Sequence, residues 1–177
     1  MGLLDSTKGE LDLMKAMSFL KNRGVPCCAR IAGQFKRKDY EEKFISIRKD
    51  LSLEADVEYL GILQGNEKIA AFQWADVFCF PSFFSSESFG LVLIEAMQFM
   101  LPIVATRWRG IPDLVKDGFN GYLVDINMPE KIADKLNVLA KDQELRIQMG
   151  KNGRKRYEAE YTLEKHLQRM ELALSEI

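Results

Sequence analysis

The sequence predicts an α/β fold of the doubly wound class: a parallel sheet with helices on both faces, closed by a helical carboxyl-terminal tail. Three observations carry this expectation. Short strand-like runs alternate with helix-length runs along most of the 177 residues. Runs such as Val77–Phe80 and Ile103–Thr106 are apolar throughout, as strands covered on both faces are. From Pro129 onward only helical patterns occur. The length suits a single domain over residues 1–177, with the helical tail from about 129.

Taken in order, a helix is expected from about Lys8 to Arg23. Leu11, Met14, Met17 and Leu20 form its stripe and Gly24 stops it. Cys27–Ala32 reads as a buried strand, Tyr40–Asp50 as a helix and Val57–Leu60 as a strand. Asn66 is expected to cap a short helix to Trp74. Val77–Phe80 is a strand, Leu91–Met100 a helix, and Ile103–Thr106 and Tyr122–Val124 are further strands. Pro129, at a favoured first-turn position, opens a helix to about Lys141. A charged helix follows to about Tyr157. Thr162 is placed to cap a last helix bearing Leu163, Leu167, Met170, Leu174 and Ile177 on one stripe.

Net charge is −1 with both signs interspersed, which argues against a nucleic-acid footprint. No apolar run is long enough to span a membrane. Met1-Gly-Leu-Leu-Asp-Ser lacks the positive start of a signal peptide. Cys27, Cys28 and Cys79 lie in apolar runs and are expected to be buried thiols in a reducing compartment. These readings predict a cytoplasmic protein. His166 is the single histidine, so no His/Cys metal cluster is expected. The absence of any Asp-x-Asp leaves no candidate for a divalent-metal clamp, and the expectation is metal: none, cofactor: none.

Glu87-Ser-Phe-Gly-Leu-Val-Leu-Ile-Glu95 is the most informative stretch. It sets two carboxylates eight positions apart. Glu95 falls within the apolar run Leu91–Met100, where a charge is costly without a partner. Two readings stand about even on the residues: Glu95 is held by the helix dipole or an internal Lys or Arg, or it faces a cleft and accepts from ligand hydroxyls such as a ribose diol. Gly90 precedes a helix start, where free amides and the dipole favour an anion, though an isolated glycine is often only a turn. In an open parallel sheet ligands bind beyond the carboxyl ends of the strands. The loops there would be 4–9, 33–38, 61–66, 81–90 and 106–112. Lys8, Gly33, Glu87, Gly90, Arg107 and Arg109 fall on them.

Five blocks run in sequence: Pro81-Ser82; Glu87 to Met97; Leu101-Pro-Ile-Val-Ala-Thr106; Gly110-Ile-Pro-Asp-Leu-Val115; and Asp117-Gly-Phe-Asn-Gly-Tyr-Leu-Val124. In that order they resemble retaining glycosyltransferases of the GT-B type, and within them the group 1 family. The resemblance implies a Rossmann-like nucleotide-sugar-binding domain, the carboxyl-terminal half of such an enzyme, with the amino-terminal acceptor domain as its absent partner. It implies a hexosyltransferase of polysaccharide biosynthesis that uses a UDP-, GDP- or ADP-sugar, and an isolated half that is inactive. Peripheral contact with the inner face of a membrane would come through the other half. Lys8 takes the place of the family's phosphate-binding lysine. The backbone amides of Phe89, Gly90 and Leu91 take the diphosphate. Glu95 takes the place of the ribose-binding glutamate and Glu87 that of the catalytic residue contacting the transferred sugar. Gly33 belongs to a loop that meets the base through backbone atoms. The family's additional arginine is replaced by Leu3, and Arg107 and Arg109 are candidates to supply the missing charge.

Two other classes are weighed: a nucleotide or nucleotide-sugar binding module without catalysis, and a flavodoxin-type phosphoryl switch, which lacks the required acidic pocket after its first strand. A glycosidase acid/nucleophile pair is set aside because the surrounding blocks match transferases.

Overall fold

The structure is a computed structural model that describes residues 2–87 and 90–175. Among these residues seven strands and eight α-helices follow one another as β1 (Leu3–Leu4), α1 (Glu10–Asn22), β2 (Ala29–Ala32), β3 (Gln34–Phe35), α2 (Lys38–Asp50), β4 (Val57–Gly61), α3 (Gly65–Trp74), β5 (Phe78–Phe80), α4 (Leu91–Gln98), β6 (Ile103–Thr106), α5 (Ile111–Leu114), β7 (Gly121–Val124), α6 (Pro129–Lys141), α7 (Gln143–Arg156) and α8 (Leu163–Ser175), with a short π-helix at Tyr157–Tyr161 between the last two. All strand pairings are parallel: β1 with β3, β2 with β4, and β5 with β6 with β7.

Period-two alternation on β6 and β7 makes the sheet two-faced. Val104 and Val124 enter one apolar cluster with Met14, Met17, Phe44, Ile132 and Leu139, from α1, α2 and α6. Ile103, Ala105 and Leu123 enter a second with Phe72, Leu93, Met97 and Ile111, from α3, α4 and α5. The doubly wound expectation is therefore met, with neighbouring positions on one strand serving opposite layers.

Local sequence explains the helices that frame the site. α1 starts after Gly9, in the left-handed region at φ 81°, and carries Glu10 and Asp12 in its first turn and Lys21 in its last. That arrangement complements the helix dipole. Gly24, at φ 69°, stops it as expected. α6 runs from Pro129 to Lys141, the expected bounds, and packs along α1. The Thr162 hydroxyl accepts from the Lys165 amide at the start of α8. Leu163, Leu167, Met170 and Leu174 are all exposed; Ile177 lies outside the described residues.

Several expectations are corrected. Asn66 caps nothing: the residue before α3 is Gln64, extended and without a side-chain bond to the helix, and the turn into it is made by Gly65 at φ 48°. α4 ends at Gln98 because Met100 turns back at φ 55°, and its first residue, Leu91, is 70% exposed, so the run is not apolar-buried all round. Cys27 and Cys79 are half-buried rather than buried, and Cys28 is exposed because β2 begins only at Ala29. Burial pushes the Cys79 thiol up to about 12. The short β3 and α5 were not foreseen. Among the described residues the parallel pairings form three ladders, β1 with β3, β2 with β4, and β5 with β6 and β7.

Candidate functional site

The carboxyl ends of the strands bring Lys8, Glu87, Gly90, Leu91 and Glu95 to one cavity. Gly9 is the reason two of the loops meet: a Cβ there would lie 2.1 Å from the Pro81 carbonyl oxygen. Only glycine permits that approach together with the positive φ. Across the contact, the Phe83 amide donates to the Thr7 carbonyl at 2.8 Å. Lys8 is thereby set against the loop after β5. Its ammonium donates to Glu87 at 2.8 Å and lies 4.1 Å from the centre of the Phe84 ring.

Glu87 is held twice. The Ser82 hydroxyl donates to the same oxygen at 3.1 Å. The Ser82 carbonyl accepts from the Thr106 hydroxyl, and the Phe84 carbonyl accepts from the Trp108 indole at 2.9 Å. The β6 loop thus braces the β5 loop. The Glu87 side chain is only 13% exposed, so its charge is partly removed from water and its pairing with Lys8 is worth more than at an open surface.

Gly90, in the left-handed region at φ 63°, starts α4. Glu95, one and a half turns on, is about a third exposed and accepts from Lys68 of α3 at 2.6 Å. A lysine partners Glu95, and the same residue lines an open cavity of about 870 Å3. Lys8, Lys68, Glu87, Gly90 and Leu91 share that cavity's mouth. The rest of the volume continues downward between β2 and β5.

Gly33 does not line the cavity. Its amide donates to Gly61, its carbonyl accepts from the Tyr59 hydroxyl, and a Cβ would meet the Gly2 carbonyl at 2.7 Å. The position serves close packing of β1 against the β2–β3 strand. Arg107 pairs with Asp117 at 3.2 Å and Arg109 lies over the Trp108 ring; neither lines the cavity. Phe89 lies outside the described residues.

Sequence reasoning missed Lys68, Ser82 and Glu10. Lys68 had a signal, a lone cation in the short helix after the β4 loop. Ser82 had one in its place directly after β5. Glu10 had none. It is 4% exposed, and burial pushes its carboxyl up to about 7.

A family model described as "Glycosyl transferases group 1" matches residues 1–156. The chain is 34% identical over 157 residues to the D-inositol 3-phosphate glycosyltransferase of Corynebacterium glutamicum. That match covers 85% of this chain and 36% of the relative, so the chain spans little more than a third of the length of that protein. Among solved structures, the carboxyl-terminal domain of a group 1 family protein (LpcC) from Francisella tularensis is 26% identical. Its TM-score is 0.81, over 92% of this chain and 84% of that one. The Anabaena HepE protein, solved in complex with UDP-glucose, is 24% identical with a TM-score of 0.87. It covers 99% of this chain and 48% of that one, and at this identity it shows likeness of fold.

Proposed function

The chain belongs to the group 1 glycosyl transferases, and on that premise we propose that it is the half of a retaining enzyme that binds the nucleoside diphosphate sugar. The observation that supports this most is the convergence of Lys8, Glu87, Gly90 and Glu95 on one cavity mouth beyond the strand carboxyl ends. A glycine-led helix start offers amides to an anion. Lys8 adds a point charge for the diphosphate. Glu95 offers two acceptors to a ribose diol, and Glu87 lies where the transferred sugar would sit.

Each of these carboxylates is paired with a lysine, Glu87 with Lys8 and Glu95 with Lys68. A diphosphate competes with Glu87 for Lys8, and a ribose competes with Lys68 for Glu95. In the reaction, the sugar leaves the diphosphate and joins an acceptor hydroxyl on the same face. The departing phosphate takes the acceptor proton. The protein positions both, and Lys8 with the Gly90 helix start stabilises the charge that develops on the leaving group. Glu87 faces the positive charge developing on the sugar. Acceptor binding and cleft closure belong to a partner domain of the same enzyme, so this chain alone transfers no sugar. UDP, GDP or ADP sugars all suit the site, the acceptor glycan serves cell-surface assembly, and the work is done in the cytoplasm without metal. No helix among the described residues is long and apolar enough to cross a membrane. The second reading, a binding module without catalysis, shares the same site and differs only in turnover when the partner half is present.

Calorimetric titration with UDP, GDP and ADP, with and without chelator, tests the reading. Binding of one of them that survives chelation is expected. No binding, or binding only with Mg2+, overturns it.

A further inference from the structure

Two helices turn one face each to the cavity. α3 presents Lys68, Ala71 and Phe72, and α4 presents Leu91, Val92 and Glu95. Both sets follow the three- and four-residue spacing of a single helix face. Each set is apolar but for one charge, and the two charges meet: the Lys68 ammonium donates to Glu95 Oε1 at 2.6 Å. Neither charge is explained by its own helix. Lys68 follows the first turn of α3, at the end where the dipole favours an anion over a cation. Glu95 lies between Ile94 and Ala96, in a helix with no other ionisable residue.

Nor does the pair carry much of the fold. The two side chains are 24% and 34% exposed, and ion pairs open to solvent contribute little to stability. What the pair has is unused capacity. An ammonium has three N–H donors and a carboxylate two accepting oxygens. Among the described residues Lys68 uses one donor and Glu95 uses Oε1 alone, both in the same bond.

A donor and an acceptor 2.6 Å apart select a ligand group by its hydrogen-bonding pattern. A phosphate oxygen satisfies Lys68 and is repelled by Glu95. An amine does the reverse. A hydroxyl satisfies both, because it gives its proton to the carboxylate and accepts from the ammonium. We propose that Lys68 is a specificity-determining residue that, with Glu95, brackets one hydroxyl of the nucleotide's ribose. That hydroxyl donates to Glu95 and accepts from Lys68, while Glu95 Oε2 takes the neighbouring hydroxyl. The vicinal diol is supplied by the nucleotide sugar of the proposed function, on which this assignment rests. Competition for Glu95 Oε1 thereby resolves into sharing, and Lys68 stays on the ligand instead of retreating from it. A deoxy sugar that lacks the bracketed hydroxyl leaves two charge-assisted bonds unmade at once.

Dissociation constants of UDP, 2′-deoxy-UDP and 3′-deoxy-UDP for the native chain, Lys68→Met, Glu95→Gln and the double variant test this. The GDP or ADP series replaces the UDP series where that base binds. The native chain is expected to prefer UDP over one of the deoxy analogues by about 10- to 100-fold. Lys68→Met is expected to lower that ratio by about fivefold or more, while affinity for the same deoxy analogue changes by less than about twofold. The loss in the double variant is expected to fall short of the sum of the single losses, because the bracket needs both members. Lys68→Gln, too short to reach the shared hydroxyl, is expected to show the same fall in the ratio and serves where the methionine variant does not fold. A native ratio near one, a preference that survives both substitutions of Lys68, or an equal loss for UDP and both deoxy analogues overturns the proposal and leaves the nucleotide reading standing. No binding of UDP, GDP or ADP by the native chain overturns the proposed function and this proposal together.

Discussion

Lys8 and Glu87 stand 79 residues apart in sequence and 2.8 Å apart in space. That pair ties the loop before α1 to the loop after β5, and it sets the charge balance at the cavity mouth: the cation expected to meet a diphosphate is neutralised until one arrives. Hydrogen bonds to a charged group contribute roughly 1.5–3 kcal/mol. Lys8→Met is therefore expected to weaken UDP binding about 10- to 100-fold and to lower the melting temperature as well, because it leaves the mostly buried Glu87 carboxylate without its cation. Calorimetry on the two proteins checks this, and unchanged UDP affinity would remove Lys8 from the site.

The closeness of those loops depends on Gly9. Gly9 and Gly24 both adopt positive φ, 81° and 69°. A Cβ at Gly9 would sit 2.1 Å from the Pro81 carbonyl, while one at Gly24 meets nothing within 4 Å. Alanine at Gly24 should cost only the backbone strain, about 1 kcal/mol. Alanine at Gly9 should cost the strain plus the displacement of the Pro81 loop, roughly 3 kcal/mol, and should also lower UDP affinity because Lys8 and Glu87 move apart. Denaturant melts of both variants provide the measure. Equal losses would mean that the loop yields freely and that the approach at Gly9 does not position the site.

Much of this architecture was legible in the chain. Apolar runs such as Ile103–Thr106 and stripes such as Met14, Met17 and Leu20 reveal strands and helices because burial on two faces or one leaves a periodic trace. The loops that carry Lys8, Glu87 and Gly90 followed from strand direction alone. Pairings did not follow: that Lys68 would reach Glu95, or Ser82 reach Glu87, depends on the crossing of helices and loops distant in sequence. Cys28 and Asn66 were misjudged for a local reason. Each lies one or two residues from an element boundary, where period-based reading is weakest.

Glu10 predicts how stability varies with pH. Burial raises its carboxyl from 4.5 to about 7 in the folded protein. The folded state then holds a proton that the unfolded state releases between those values, so this group's contribution is most favourable below about 4.5. It declines as pH rises through 7, by about 3 kcal/mol at most. Glu10→Gln should abolish that component. The variant is expected to match the native protein near pH 5 and to exceed it in stability at pH 8. Chemical denaturation of both at the two pH values checks the sign; a variant that is less stable at pH 8 would show that ionised Glu10 is better solvated than its 4% exposure indicates.

The two carboxylates at the cavity mouth are separable by their ligands. Glu95 lies on α4 opposite Lys68, and Glu87 lies beside Lys8 and Ser82; on the proposed function the first meets a ribose and the second the sugar. Glu95→Gln keeps the shape but weakens hydrogen bonds worth roughly 1.5–3 kcal/mol each when the acceptor is charged. It should therefore weaken UDP and UDP-glucose alike, by one to two orders of magnitude. Glu87→Gln has the opposite pattern. It frees Lys8 from its partner, so UDP should bind as well as before or slightly better, while the extra affinity contributed by glucose should vanish. In an enzyme reconstituted with its partner half, the same change should lower turnover more than donor affinity, because the carboxylate faces charge that develops only in the transition state. Dissociation constants of both ligands for both variants, with thermal melts as a control for folding, decide the matter. If the variants behave alike, the two glutamates have no division of labour. If Glu95→Gln only lowers the melting temperature, its pairing with Lys68 is structural, and the ribose must find its acceptor elsewhere on the cavity wall.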